Sequence, residues 1–281
     1  MRVSDMLNMG IRQLNDAGIE NAKGEAEQLY CFMKKIGRTE FFVRWSKEAN
    51  DKEIEGFFQL IQERATRKPL QHILGKVEFM GLPIIVRENV LIPRMDTEVV
   101  VEEAINIMPK KASVLDLCCG SGIIGISIAK LTPAEKKLKK VTSCDKSKDA
   151  IALTVENAKL NDVKLEIKES DLFSAIKKKF DLIISNPPYV RRGEIPTLDI
   201  EVREFDPIDA LDGGEDGLDF YRKIVDEAVS YLKKDGWLVF EVGYDQGKDV
   251  AEIFKADGRY ANVEISKDLA DDDRVVKAQL V

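Results

Sequence analysis

Asp116-Leu117-Cys118-Cys119-Gly120-Ser121-Gly122-Ile123-Ile124-Gly125 follows the apolar pair Val114-Leu115 and leads into an apolar stretch that runs to Leu131. A short β-type run that changes to a helical pattern across glycines predicts strand, loop and helix in that order. Gly120, Gly122 and Gly125 satisfy G-x-G-x-x-G. By itself this spacing says only that the chain turns tightly and admits a ligand close to its backbone. The alternation then repeats. Residues 141–144, 163–167, 180–185 and 237–242 read as strands, and 260–265 and 274–281 as late strands. Residues 147–160, 218–232 and a segment ending near Ala256 read as helices. Strands alternating with helices predict an α/β fold on an open, doubly wound, mostly parallel sheet.

Upstream the period differs. Met6, Leu7, Ile11 and Leu14, then Leu29, Tyr30, Phe32, Met33 and Ile36, then Ile54, Phe57, Phe58, Leu60 and Ile61 recur at helical spacing. A further short helix starts at Thr39, and no proline occurs before Pro69. Residues 1–67 are therefore expected to form a small helical-bundle domain. In residues 68–95, Val77 and Phe79, residues 83–86 and residues 90–92 read as short strands broken by Gly81 and Asn89, which makes a linking β-hairpin. The sheet domain is then 96–281.

Composition narrows the chemistry. The 281 residues are 44% hydrophobic and 33% charged, with a net charge of −7. No apolar run approaches the ~18 residues that span a membrane, and the first residues lack the apolar core of a signal peptide. A cytoplasmic protein is expected. The acidic balance argues for a protein or small-molecule partner over a nucleic-acid backbone. The cysteines Cys31, Cys118, Cys119 and Cys144 form no C-x-x-C, and His72 is the single histidine. That excludes the usual Cys/His zinc site and leaves no context for a Ser-His-Asp or Cys-His hydrolase.

Asp116 stands just before the glycines. A carboxylate there repels a dinucleotide pyrophosphate but attracts the sulfonium and ammonium of S-adenosylmethionine; a turn-capping role is the plainer alternative. Asp145 ends the next strand, where an acid holds the ribose hydroxyls of an adenosine cofactor. Asp171-Leu172-Phe173 follows the third strand, offering an acid for the adenine amine and an apolar wall for the ring; a simple turn fits these residues equally well.

The sharpest signal is Asn186-Pro187-Pro188-Tyr189, directly after the apolar strand 181–185. Two prolines fix the backbone, lack N–H groups and leave their carbonyls free to accept. Asn186 adds a side-chain acceptor and Tyr189 an aromatic plane. An amide or aryl amine nitrogen is a poor nucleophile because its lone pair is delocalised. Acceptors at Asn186 and Pro187 can hold both of its N–H bonds, aim it and stabilise positive charge as it develops. Tyr189 can stack on the flat group.

In this order the motifs resemble the amino-group branch of class I methyltransferases. Further stretches resemble the peptide-chain release factor glutamine methyltransferases (the HemK/PrmC family): residues 69–75, Glu78-Phe79-Met80-Gly81, residues 90–98, Glu204-Phe205-Asp206-Pro207, residues 210–218, and Glu241-Val242-Gly243 with Gln246. The resemblance covers about 69–281, and the helical prefix fits the family by type and length. It implies a class I methyltransferase-like sheet of about seven strands with a reversed last strand. It also implies S-adenosylmethionine as cofactor, with S-adenosylhomocysteine as product, and the glutamine of the release-factor Gly-Gly-Gln loop as substrate. It puts the cofactor on Cys118, Cys119, Gly120, Ser121, Gly122, Asp145 and Asn186, beside the expected Asp116, Asp171 and Leu172. The target amide falls on Asn186, Pro187, Pro188 and Tyr189. The 1–67 region becomes the substrate-docking domain, with a packing module as the alternative. The partners implied are release factors, with no stable nucleic-acid binding and no membrane. Three departures stand out: Cys118 where many members have glycine, Met95 where proline is usual, and Leu172 where some have tryptophan. Asp271-Asp272 replaces a common Gly-Arg. The rivals are a ribosomal-protein glutamine methyltransferase, a nucleic-acid adenine N6-methyltransferase, a nicotinamide oxidoreductase and a non-catalytic binding module.

Overall fold

The computed structural model describes residues 1–281. The chain forms two compact units, Met1–Lys76 with Asp199–Phe205, and Val77–Leu198 with Asp206–Val281.

The first unit is helical: α1 (Val3–Asp16), α2 (Ala22–Lys34), α3 (Arg38–Arg44), α4 (Asp51–Ala65) and α5 (Leu70–Leu74). Their apolar stripes meet in one core of Met6, Leu7, Leu14, Tyr30, Phe57 and Ile61. Asn50 caps α4 by accepting the Glu53 N–H at 3.0 Å, which satisfies one of the donors a helix start leaves open. Gly10 on α1 lies where a Cβ would come 2.7 Å from the Phe57 ring, so the closeness of α1 and α4 depends on it.

The second unit opens with β1 (Lys76–Phe79), whose first residue still counts with the helical unit, and β1 and β2 (Leu82–Ile85) form a two-stranded sheet. Met80 and Gly81 between them both have positive φ, 49° and 75°, as a two-residue hairpin turn requires. The hairpin ends there. Residues 90–92, expected as a strand, pair with nothing: Val90 and Ile92 are buried, but the Ile92 N–H goes to the Asp206 carboxylate at 3.3 Å. Part of the expected linker is α5.

The remaining elements are α6 (Thr97–Ile107), β3 (Ser113–Leu117), α7 (Ile123–Leu131), β4 (Lys140–Asp145), α8 (Lys148–Leu160), β5 (Glu166–Glu169) and β6 (Phe180–Ser185). The short α9 (Ile200–Arg203) belongs to the first unit. Then come α10 (Asp219–Ala228), β7 (Leu232–Glu241), α11 (Gly247–Asp257), β8 (Tyr260–Lys267) and β9 (Asp273–Leu280). The seven-stranded sheet has the order β5-β4-β3-β6-β7-β9-β8. All neighbours are parallel except β9, which runs antiparallel to β7 and β8. This is the class I methyltransferase arrangement with its reversed last strand.

Strand periodicity of two builds both faces. Ile183 packs with α10 and α11 residues such as Ile224 and Phe254. Its neighbours Leu182 and Ile184 pack with α6 and α7 residues such as Val101 and Ile124 on the other face. The sheet order reverses at β3. A doubly wound sheet opens a crevice beyond the carboxyl ends of its strands at such a point, which here are Leu117, Asp145, Ser185 and Glu241.

Candidate active site

The glycine loop leaves β3 through left-handed backbone at Cys118, Gly120 and Gly122, with φ of 60°, 54° and 82°. Cys118 thus occupies a conformation that favours glycine. Asp145 holds the loop from β4: its carboxylate accepts the Gly120 N–H at 2.9 Å and the Ser147 N–H at 2.9 Å. A Cβ on Gly122 would lie 2.7 Å from the Thr154 side chain, so that turn has no room for one.

Asp116 does not face the crevice. It is fully buried, and one carboxylate oxygen accepts from the Gly125 N–H and the Ser143 hydroxyl, each at 3.0 Å, while the other has no partner. Burial pushes its carboxyl up to about 7, against those two hydrogen bonds. The expected contact with a cationic cofactor is replaced by support of the loop from behind, because β3 points this side chain at its own following helix.

Beyond the strand ends lies a cavity of about 540 Å³, within the range of small-molecule sites. Of the expected residues, Cys118, Gly120, Asp145, Asp171, Leu172, Asn186 and Pro188 line it. Asp116, Cys119, Ser121, Gly122, Pro187 and Tyr189 do not. Cys119 and Ser121 are buried and shape the loop: the Cys119 N–H donates to the Cys144 carbonyl at 3.0 Å, and the Ser121 carbonyl accepts from Asn157 at 3.0 Å. The sequence reading missed the opposite wall, which comes from Val90, Ile208 and Phe220. One carboxylate ties that wall together. Asp206 accepts the Ile92 N–H and the Arg94 guanidinium at 2.6 Å. Two of the motifs that carried the resemblance, residues 90–98 and 204–207, therefore meet on one side chain.

The lining is acidic. Asp145, Asp149, Asp171 and Asp209 face Lys146, whose ammonium is already paired with Asp209 at 2.8 Å. Such a lining repels a pyrophosphate and suits a neutral or cationic adenosine derivative. The thiol of Cys118 is pushed up to about 12 by burial, with the Asp145 charge adding to it, so it is no nucleophile at neutral pH.

Asn186 is where the cavity meets a second cluster. It follows Ser185 at the end of β6 and so stands beside Glu241, which ends the neighbouring strand β7 and whose charged form it favours. Glu241 is buried and accepts the Thr97 hydroxyl at 2.6 Å. Burial pushes its carboxyl up to about 7, while the Thr97 hydroxyl and the Arg274 guanidinium pull it down. Tyr189, half-buried, lies in the field of Glu241, Arg274, Arg94 and Asp96; burial, with the Glu241 charge, raises its phenol. The Pro187 carbonyl accepts no hydrogen bond from the chain.

A glycine-rich segment holds this turn in place. The Val190 N–H donates to the Leu211 carbonyl and the Gly213 N–H to the Val190 carbonyl, both at 2.9 Å. Gln246 accepts the Gly243 N–H at 3.1 Å and donates to the Tyr189 carbonyl at 2.9 Å. A Cβ on Gly213 would lie 2.7 Å from Tyr189 Cα. Glu241, Thr97 and Gln246 were visible in the sequence only as parts of resembling stretches, with no role attached.

Two family models match the chain: the PrmC N-terminal domain over residues 5–75 and the Methyltransferase small domain over residues 95–201. A Geobacter sulfurreducens protein named release factor glutamine methyltransferase is 41% identical over 268 residues, which cover 95% of this chain and 93% of that protein. One of the same name from Clostridium botulinum is 38% identical over 287 residues, covering 99% of each. Among solved structures, a methyltransferase from Pyrococcus furiosus shares the fold, with a TM-score of 0.55 at 15% identity over 71% of this chain and 89% of that one. With relatives this similar along nearly its whole length, the chain belongs to the release factor glutamine methyltransferase family.

Proposed function

We propose that this protein transfers a methyl group from S-adenosylmethionine to the side-chain amide nitrogen of the glutamine in the Gly-Gly-Gln loop of peptide chain release factors, in the cytoplasm. The observation that carries the proposal is the position of Asn186, which lines the acidic cavity and stands beside the buried Glu241 at the end of the neighbouring strand. Family membership supports the choice of acceptor, and no helix is long and apolar enough to cross a membrane.

The residues present fit an adenosine cofactor. Asp145 is anchored by two backbone N–H groups and keeps lone pairs for ribose hydroxyls, while Leu172, Ile208 and Phe220 give apolar wall for a purine. Bound there, S-adenosylmethionine supplies a methyl group made electrophilic by its sulfonium. The chain's own residues must do the rest. Asn186 Oδ1 accepts one N–H of the substrate amide and the Pro187 carbonyl the other, which orients the nitrogen toward the cavity. Both bonds strengthen as the nitrogen becomes positive, so they favour the transition state over the bound ground state. The nitrogen gains a bond to the methyl carbon and gives up one of its protons to solvent, since the two amide oxygens that orient it are too weakly basic to keep a proton. Tyr189 supplies an aromatic surface beside the amide.

The test is incubation of the purified protein with isotopically labelled S-adenosylmethionine and purified release factor, followed by mapping of the label by mass spectrometry. Label on the glutamine of the Gly-Gly-Gln loop is expected. Label on another residue, or transfer to RNA or DNA in place of the protein, would overturn the proposal.

A further inference from the structure

An asparagine amide can face a substrate with its oxygen or with its NH2, and the two orientations are nearly isosteric. Only the oxygen can accept an N–H from the substrate. Asn186 therefore needs something that chooses its orientation, and the two prolines after it cannot, since neither has an N–H to offer.

Glu241 can make the choice. It ends β7, which lies beside β6 in the sheet, with Phe240 paired to Ser185. Its side chain is 1% exposed. Above its raised pKa of about 7 the Glu241 carboxyl is ionised, and an ionised carboxylate only accepts. One oxygen takes the Thr97 hydroxyl at 2.6 Å, and Asn186, the residue after Ser185, stands beside Glu241 at the next step of the β6–β7 register and favours its charged form. Thr97 is itself 1% exposed and is the first residue of α6, so it is fixed by the fold. Arg274 supplies positive charge nearby and is held by Asp268 at 3.0 Å and Asp96 at 3.6 Å. An acceptor-only group at this place admits the Asn186 NH2 and rejects its oxygen, which would otherwise face another oxygen without a proton between them.

We infer that Glu241, held by Thr97, is a positioning residue that fixes the Asn186 amide with its oxygen toward the acceptor nitrogen and its NH2 turned away. This deepens the function proposed above and rests on its reading of Asn186 as the acceptor of a substrate N–H. It also gives Thr97, from the segment 90–98, a defined part in the site.

The test is Glu241→Gln, which keeps shape and the Thr97 bond but presents an NH2 to Asn186, together with Thr97→Val and Thr97→Ser. Four measurements are made on the full-length protein. They are kcat, KM for purified release factor, S-adenosylhomocysteine affinity by calorimetry, and the side-chain amide resonances of 15N-asparagine-labelled protein, with the Asn186 pair assigned from its absence in Asn186→Ala. Glu241→Gln should shift the Asn186 amide pair and lower kcat about tenfold or more, with KM and S-adenosylhomocysteine affinity within about twofold of the parent. Thr97→Ser, which keeps the hydroxyl, should match the parent, and Thr97→Val should lose activity. An unshifted Asn186 pair in Glu241→Gln, a parental kcat, or a loss of cofactor affinity as large as the loss of kcat would overturn the inference. The resonance needs no methyl transfer. A full rate in Asn186→Ala would instead sink the proposed role of Asn186, whatever the spectrum of Glu241→Gln shows.

Discussion

Asp116 lies inside β3 and Asp145 ends β4. Sequence order made both cofactor candidates, but burial separates them. Asp145 lines the cavity with two backbone N–H bonds behind it. If it holds the ribose hydroxyls, Asp145→Ala should weaken cofactor binding by ~1.5–3 kcal/mol, as for hydrogen bonds to a charged group. Calorimetry with S-adenosylhomocysteine reads this directly, and unchanged affinity would place the ribose elsewhere. Asp116 acts on stability. Its carboxyl titrates near 7 in the folded chain against an ordinary 3.8. The folded state therefore holds a proton that the unfolded state has lost between those values. The stabilisation is complete below about pH 3.8 and disappears as pH rises through about 7, a change on the order of 4 kcal/mol. Asp116→Asn should remove this slope. In urea unfolding at pH 5 and pH 8, the parent should lose stability relative to the variant at the higher pH. Parallel behaviour of the two proteins would show that Asp116 is ionised in the folded state.

At the level of elements, the Gly213–Gly217 segment shows how a distant loop can set the Asn186–Tyr189 turn. Gly213 has Tyr189 Cα, Tyr189 C and the Gly217 carbonyl within 2.9 Å of where its Cβ would stand, all of them backbone. Gly213→Ala must displace the Asn186–Tyr189 turn, which should cost about 1–3 kcal/mol of stability and lower the single-turnover rate. Gly193→Ala, at a glycine with nothing within 4 Å and no positive φ, is the control and should leave both unchanged. The alternation that marked β3 and β6 was readable in the sequence because each is a largely apolar run buried on both faces, whereas β4 is buried too but carries Thr142 and Ser143 within it. Residues 90–92 carry the same apolar signature but are buried without a ladder, their backbone held by Asp206 far along the chain. A local pattern cannot tell these cases apart. The third strand shifted for a related reason: it lies at the sheet edge as Glu166–Glu169, half-buried and polar, after the apolar residues that suggested it. Asn186 was legible as a site candidate because it stands in a contiguous motif. Glu241 was not, since only the sheet order puts β7 beside β6.

At the scale of the whole molecule, the chain carries separate cores, one among α1–α5 and others on the two faces of the seven-stranded sheet. The first unit also contains a buried charge. Arg64 is 2% exposed and is held by Glu25 at 2.5 Å, by Glu201 at 2.8 Å and by the Lys68 carbonyl at 3.2 Å. Glu201 lies in α9, so the distant segment 199–205 completes this unit through an ion pair that no local reading of the helical prefix could include. Burial disfavours the Arg64 charge, and the two carboxylates outweigh it. Arg64→Ala would leave Glu25 without its partner and Glu201 with Arg67 alone, at 3.2 Å. Both are partly exposed, at 15% and 27%, so solvent relieves some of the penalty, and a loss of about 3 kcal/mol is expected. The loss should be local. In hydrogen exchange, amides of α2 and α4 should exchange faster in Arg64→Ala, while those of β3 and β6 should be unchanged and still be slowed by S-adenosylhomocysteine. If the helical unit docks the protein substrate, KM for release factor should rise in this variant at unchanged cofactor affinity. A parental KM in a variant whose helices demonstrably open would mean that the helical unit is a packing module, and that recognition of the release factor resides in the sheet domain.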